Sequence, residues 1–533
     1  MATLAVACAG PPSAPPLERA APGDGTLPST SQVTAAPSTA PAPGGGPGSS
    51  TSSPPAGAQP GGVLRMGLED PGSFDPVAAS PADQAALVAA DLLFDGLTAA
   101  GPDGAPVPAL AASWQPSEDL RTWRFTLRQG ARFSDGSAVT GGDVAFSLSR
   151  MAARGAGDPV ATALRGVEVS APSAGEVVVT VDRPSAEVPA VLSSPLLGVV
   201  PQVAASAPAF AGSPVGSGPF RVAGRDGAVV HLRPAEGVAA NLEGIDLHLY
   251  ADDADAYAAW VAGDLDWSQV PSTAVGDAEA RAGARGFVPF PAMLYLGFNL
   301  RSPSLDDVRF RQAVLAAIDR DSVVRAAYGT AVTPRAALVP AGVPGAVDDA
   351  CGSACSHDAR RARSLVEAAF PDGRVPELPL DYDQGASQEA LARAIQSDLA
   401  EAGIPSTLRG RPPEEFATFA TSGGQGLFRL GWVGVFPTPD AFLTPLFRSG
   451  GAENAVGLAD EEVDAAIDAA RAEPDPARRA AAWAEAERLV LARAPVVPLG
   501  QFRTATVFSR RVQGLVPRPD GTFDPGAVWL QPR

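Results

Sequence analysis

Histidine and cysteine, which carry much metal and nucleophile chemistry, are scarce in this chain. The histidines are His231, His248 and His357, and the cysteines are Cys8, Cys351 and Cys355. The histidines are dispersed, and neither an H-E-x-x-H zinc helix nor a G-x-S-x-G nucleophile elbow occurs. His231 and His248 lie in alternating, strand-like runs, where a histidine is most simply a surface or hydrogen-bonded strand residue. The glycine cluster at 216–218 lacks the Lys-Ser/Thr that completes a phosphate-binding loop, and the one around Gly424 lacks a third glycine. Carboxylates are abundant, with 59 Asp and Glu. Two of them could act as general acid and base in glycoside hydrolysis, but composition singles out no pair. These residues mark no catalytic group, and no enzymatic activity, cofactor or metal is expected. A two-carboxylate hydrolase stands as the enzymatic alternative.

The same carboxylates give a formal net charge of −19. That opposes nucleic-acid binding, because phosphate backbones demand clustered cations. All 40 basic residues are arginine. At 533 residues and 45% hydrophobic, the chain can bury a large core spread over several domains.

The opening residues, MATLAVACAG, place Cys8 after a short apolar run ending in small residues. This resembles a bacterial lipobox, in which the cysteine is lipidated after the leader is removed. From residue 9 to about 60 the chain is Pro, Ala, Gly, Ser and Thr with almost nothing to bury. Residues 1–60 therefore read as an anchor followed by a disordered tether. No run approaches the ~18 apolar residues of a spanning helix. The expected location is the extracellular face of the cell membrane, held by lipid, or the periplasm where an outer membrane exists. In that oxidising setting Cys351 and Cys355, as CGSAC, can close a small disulfide loop. The competing reading adds His357 as a metal ligand and finds no fourth.

Folding is expected to begin near Gly61. GGVLRMGL reads as a first strand, and ADQAALVAADLLFDGL as a helix. Leu87, Asp91 and Asp95 share one of its sides, and Val88, Leu92 and Phe94 belong to the apolar side. Trp123, Phe125 and Leu127 alternate with Arg124, Thr126 and Arg128, the period of a half-buried strand. Ala131 to Phe133 are expected to extend it, SDGS to turn the chain, and Thr140 with Asp143 to form a capping box. Val144, Leu148 and Met151 then form a helical stripe. Trp114 and Trp123 are assigned to core.

The run LLFDGLTAAGPDGAPVPALAASWQPSEDLRTWRFTLRQGARFSDGSAVTGGDVAFSLSR, residues 92 to 150, resembles extracellular solute-binding proteins of family 5. These are the peptide- and nickel-binding components of ABC importers. The resemblance continues through VGSGPFRV at 215–222 and LYLGFNLRSPSLDDVRFRQAVLAAIDRDSVV at 294–324. In the latter, Val308, Val314, Ala317 and Ile318 are read as a core face, and Asp321 as the cap of the next helix. It runs on through FRLGWVGVFPTPDAFLTPLF to the terminal VWL. It implies an α/β fold of two hinged lobes with an extra subdomain on the first. The implied boundaries are 61–97, 215–300 and 500–533 for the first lobe, 98–214 for the subdomain and 301–499 for the second lobe. It also implies ABC permease and ATPase partners, a monomer, and a peptide or peptide-like ligand held between the lobes. The alternative on the same fold is an extracellular solute sensor or chaperone-like lipoprotein.

Carried over residue by residue, the resemblance points to GWVGVFPTPDAF as the richest cleft segment. Trp432 is its ligand-facing platform, with Gly434, Val435 and Phe436 beside it. In peptide-binding relatives an Asp three residues after this Trp pairs with the ligand amine, and here that position is Val435. A valine cannot neutralise an ammonium, so Asp440 becomes a candidate acid, or else a cap for a helix starting at Ala441. Further candidates are Phe74 and Asp75 after the first strand, Phe94, Ser217 and Gly218 in the return loop, Tyr295, Asn299 and Asn454.

Overall fold

A computed structural model of the chain describes residues 61–532, apart from 102, 156, 157, 423 and 425. The expected anchor at Cys8 and the tether lie outside the described residues.

The strand Val63–Glu69 buries Leu64, Met66 and Leu68 completely. It runs parallel to Gly244–Tyr250 on one side and to Trp267–Gln269 on the other. A strand flanked in parallel on both sides belongs in a sheet interior, which suits its apolar content. Val229–Pro234 and Phe220–Asp226 complete this sheet as antiparallel neighbours. The helix Gln84–Leu93 packs in the same core, its first turn capped by Asp83, which accepts from Ala86 N at 2.9 Å. Val512, Leu515, Phe523, Val528 and Leu530 from the C-terminal region bury there too.

A separate four-stranded sheet runs in the order 111–116, 122–127, 176–181, 167–173. In its strand Thr122–Leu127 the residues Trp123, Phe125 and Leu127 are buried and Arg124 and Thr126 exposed, so the period-two reading holds. Trp114 is only half-buried and tilts against Phe125 with ring centroids 6.2 Å apart. Thr140 and Asp143 form the capping box of the helix Gly141–Ala152, which buries Val144, Leu148 and Met151. Ala131 to Phe133 do not extend the strand. Gly130 takes a φ of +75° and turns the chain, and 131–133 fold back on 137–139 through Phe133 N to Ser137 O at 2.9 Å and Val139 N to Ala131 O at 3.0 Å.

A third group of strands, Leu378–Asp383 between Ser406–Arg411 and Leu427–Val433, is parallel and packs against helices. In the helix Val308–Ala317 the residues Val314 and Ala317 are buried, as is Ile318 just after it, but Val308 is exposed. The next helix, Arg320–Tyr328, is capped by Asp319, whose carboxylate accepts from Ser322 N at 3.2 Å, and not by Asp321. Ile318 is already extended, so the break falls two residues earlier than the sequence suggested.

Two long strands join the halves of the molecule. Phe287–Phe298 and Val496–Phe508 pair antiparallel. Phe287–Phe298 also pairs with Leu427–Val433, and the far end of Val496–Phe508 pairs with Trp267–Gln269. One hydrogen-bonded path therefore runs from 406–411 to 220–226 through both halves.

Candidate ligand cleft between the two lobes

The ladder between the joining strands is interrupted where the halves meet. Its register shifts between Pro289 and Met293. Pro289 and Pro291 have no N–H to offer, so rungs are lost there. The buried side chain of Gln501 fills the gap. Its Nε2 donates to Phe290 O at 3.1 Å and to Ala341 O at 2.9 Å, and its Oε1 accepts from Ala341 N at 2.8 Å. The interrupted segment is thus kept free of orphaned backbone groups.

Directly beyond this break lies the segment Gly431–Phe442. Trp432 pairs opposite Met293, and Gly434 N donates to Pro291 O at 2.8 Å. A Cβ at Gly434 would lie 2.4 Å from the Phe442 ring, so the chain passes the helix as closely as it does because residue 434 is glycine. Trp432 is half-buried, and its Nε1 donates to Ala441 O at 2.7 Å. Val435 and Phe436 are buried. Asp440 is the first residue of the helix Asp440–Phe447, with Pro439 at the cap position. Its carboxylate accepts from Arg471 Nε at 3.1 Å and from the Thr444 hydroxyl. Both oxygens of this acid are therefore engaged.

Phe94, Ser217 and Gly218 come together at the end of the helix Gln84–Leu93. Gly218 N donates to Leu93 O at 3.0 Å. Ser217 Oγ accepts from Asp95 N at 3.0 Å and donates to Val199 O at 2.9 Å. Phe94 is buried and tilts against Phe210, with centroids 6.3 Å apart. Phe74 stands apart, with its N–H on Ala211 O at 2.7 Å. Asp75 is held by Arg150 at 2.6 and 3.2 Å. Beside Phe94 opens a cavity of about 40 Å³ lined by Asp91, Asp95, Ser194, Arg518 and Asp520, among others. Burial pushes Asp91 up to about 7 against the pull of Arg518, and Asp95 up to about 6 against Arg128.

Residues 105–454 match the family described as bacterial extracellular solute-binding proteins, family 5 Middle. The chain belongs to this family. Among family 5 relatives, the dipeptide-binding protein DppE of Bacillus subtilis (strain 168) is 25% identical over 472 residues, covering 81% of this chain and 85% of that protein. A probable di/tripeptide-binding protein 5 of Pseudomonas aeruginosa (strain UCBPP-PA14) is 26% identical over 456 residues, covering 79% and 86%. The solved unliganded open form of MppA, a periplasmic murein tripeptide binding protein, superposes with a TM-score of 0.77. That match covers 89% of this chain and 97% of that one at 21% identity, and it carries the fold alone. The fold is the two-lobed, hinged α/β periplasmic-binding-protein fold with an extra subdomain, as the sequence led us to expect. Family 5 proteins and these relatives are solute binders, not enzymes.

Within this family 5 chain the remaining candidates lie elsewhere. Tyr295 is buried in the ladder between Leu430 and Pro498, and burial, with the Glu453 charge, raises its pKa. Asn299 donates to Gly424 O at 3.1 Å and accepts from Arg301 N. Asn454 is occupied by its own loop, donating to Arg448 O and Leu458 O and accepting from Gly457 N and Leu458 N. Cys351 and Cys355 are joined as a disulfide with Cα atoms 5.6 Å apart. His357 Nδ1 lies 3.0 Å from Ala317 O, and His231 Nδ1 lies 2.8 Å from Asp246.

Sequence reasoning missed a polar junction. Ala186 N donates to Arg471 O at 2.8 Å, and Trp483 Nε1 donates to Glu187 Oε1 at 3.1 Å. Arg479 approaches the same carboxylate at 3.7 Å. Burial, then the Asp440 charge, pushes Glu187 up to about 8. The available signal was a single charged residue in the otherwise uncharged stretch from Pro184 to Val200.

Proposed function

We propose that this family 5 protein captures a peptide or peptide-like solute between its lobes and presents it to an ABC permease powered by ATPase subunits. The observation that carries this reading is the alignment with relatives named for dipeptide and di/tripeptide binding, over 81% and 79% of the chain. In this reading the first lobe comprises 61–97, 215–300 and 500–533, the subdomain 98–214 and the second lobe 301–499. Trp432, Gly434, Val435, Phe436 and Asp440 form one wall. Phe74, Phe94, Ser217 and Gly218 belong to the other, Tyr295 and Asn299 stand at the end of the first-lobe segment that leads to the crossover, and Asn454 stands in the second lobe. A solute touching both walls favours the closed arrangement by its differential affinity, and the segment around Pro289 and Pro291 supplies the bend. The protein works as a monomer, tethered through a lipidated Cys8 on the extracellular face.

Native mass spectrometry of the gently purified full chain, followed by denaturing release, tests this. A ladder of short peptides is the expected result. A single compound without any amide backbone would refute peptide capture. The mass of the intact chain from membranes tests the anchor, because an unmodified Cys8 at a retained N-terminus is incompatible with it.

A further inference from the structure

The segment that follows the strand Glu176–Val181 bridges two parts of the molecule. On one side it is fixed to the four-stranded sheet. Ser185 N donates to Leu120 O at 3.1 Å, and Ser185 O accepts from Trp123 Nε1 at 3.1 Å. On the other side it meets the helices Glu461–Arg471 and Pro476–Ala492. Ala186 N donates to Arg471 O at 2.8 Å, and Glu187 Oε1 accepts from Trp483 Nε1 at 3.1 Å. At the exposed rim Arg183 pairs with Asp468 at 3.4 Å.

Apolar packing favours this contact. Trp123, Phe125 and Val188 belong to the same buried cluster as Phe442, Trp483 and Val490, whereas the core around the strand Val63–Glu69 is separate. The polar interior of the contact opposes it. Glu187 Oε2 and Arg471 Nη1 are buried without a hydrogen-bond partner among the described residues. Arg479 stays 3.7 Å from Glu187, and its Nη1 donates to Glu473 O and Pro474 O. Arg471 gives its Nε to Asp440. Settled interiors pair nearly all such groups, and an unmet charge weighs against burial.

We propose that residues 183–187 form a latch, a breakable contact that holds the four-stranded sheet to the helices Glu461–Arg471 and Pro476–Ala492 and releases while both sides stay folded. Charge on Glu187 works the latch. Asp440 faces this carboxyl from the helix Asp440–Phe447, and Arg479 and Trp483 face it from Pro476–Ala492. The helix Glu461–Arg471 brings Arg471, already held by Asp440, and Asp468, shared between Arg183 and Arg448. Burial, then the Asp440 charge, pushes the closed-state value up to about 8, against an ordinary 4.5. Below about 4.5 Glu187 is protonated whether the latch is open or closed. Between 4.5 and about 8 only the closed latch keeps the proton, so rising pH opens it.

Ala186 N reports the state of the latch, because its acceptor, Arg471 O, lies across the contact. The test is hydrogen–deuterium exchange of the full chain from pH 5 to pH 9, resolved to single amides by fragmentation, with wild type and Glu187→Gln compared at each pH. At pH 9 the wild-type Ala186 amide should exchange at least about tenfold faster than the protected amides of the strand Thr122–Leu127. The wild-type to variant ratio at Ala186 should grow at least about tenfold from pH 5 to pH 9, as loss of a proton on opening requires. Exchange of Ala186 as slow as that of the strand would mean permanent packing and overturn the latch. A ratio that stays flat would overturn control by Glu187. If Glu187→Gln does not fold, Arg183→Ala decides. Loss of this rim pair should speed exchange at Ala186 about two- to fivefold and leave the strand unchanged, and an equal change at both would overturn the latch.

Discussion

Glu187 is a carboxylate in an apolar segment, buried against Trp483 and near Asp440. Its folded pKa of about 8 lies above the ordinary value of 4.5, so the fold favours the protonated form. The stabilising contribution is complete below about 4.5 and is lost as the pH rises through about 8. Glu187→Gln keeps an acceptor for Trp483 and cannot ionise. Its melting temperature relative to wild type should rise between pH 5 and pH 9. A difference that stays flat across that range would show that Glu187 is charged in the fold. At Gly216 the constraint is steric, because a Cβ there would lie 1.9 Å from Leu93 O. The obstacle is backbone, so Gly216→Ala should cost about 1–3 kcal/mol in urea unfolding. A loss below about 0.5 kcal/mol would mean that the return loop has slack.

At the scale of elements, the joining strands carry the mechanical argument. Proline interrupts their ladder, and Gln501 replaces the missing rungs with three side-chain hydrogen bonds. Gln501→Leu keeps much of the volume and leaves Phe290 O and both polar groups of Ala341 without these partners. A cost of about 2–5 kcal/mol is expected from several unmet buried groups, measurable by chemical denaturation. A near-neutral result would show that water or another side chain replaces the amide. Much at this scale was legible in the sequence. The first strand, the Trp123–Phe125–Leu127 alternation and the Thr140–Asp143 capping box follow from local periodicity and hydrogen-bond chemistry. The 131–139 hairpin and the Asp319 cap were not legible. Each turns on one residue's backbone angles, at Gly130 and Ile318, which neighbouring side chains constrain only weakly.

At the scale of the whole molecule, the proposed function makes the two lobes and their paired strands a two-state device. A solute that bridges the walls should stabilise the closed form. At about 100 times its dissociation constant it should add about 2.7 kcal/mol to stability. Small-angle scattering of the full chain should then show a smaller radius of gyration at saturating solute. An unchanged curve accompanied by a thermal shift would mean binding without closure.

The sequence by itself determined the first strand, the Trp123–Phe125–Leu127 strand, the Thr140–Asp143 capping box, the carboxylate-rich charge and the resemblance to family 5. These depend on residues within a few positions of one another or on composition. The tertiary structure decided which acids remain available. Asp440 is engaged by Arg471, 31 positions away, Glu187 by Trp483, 296 positions away, and Asp91 by Arg518, 427 positions away. No local pattern encodes such meetings. They follow from packing two lobes around shared strands, and only that packing sets how far each carboxylate is removed from water and which cation faces it.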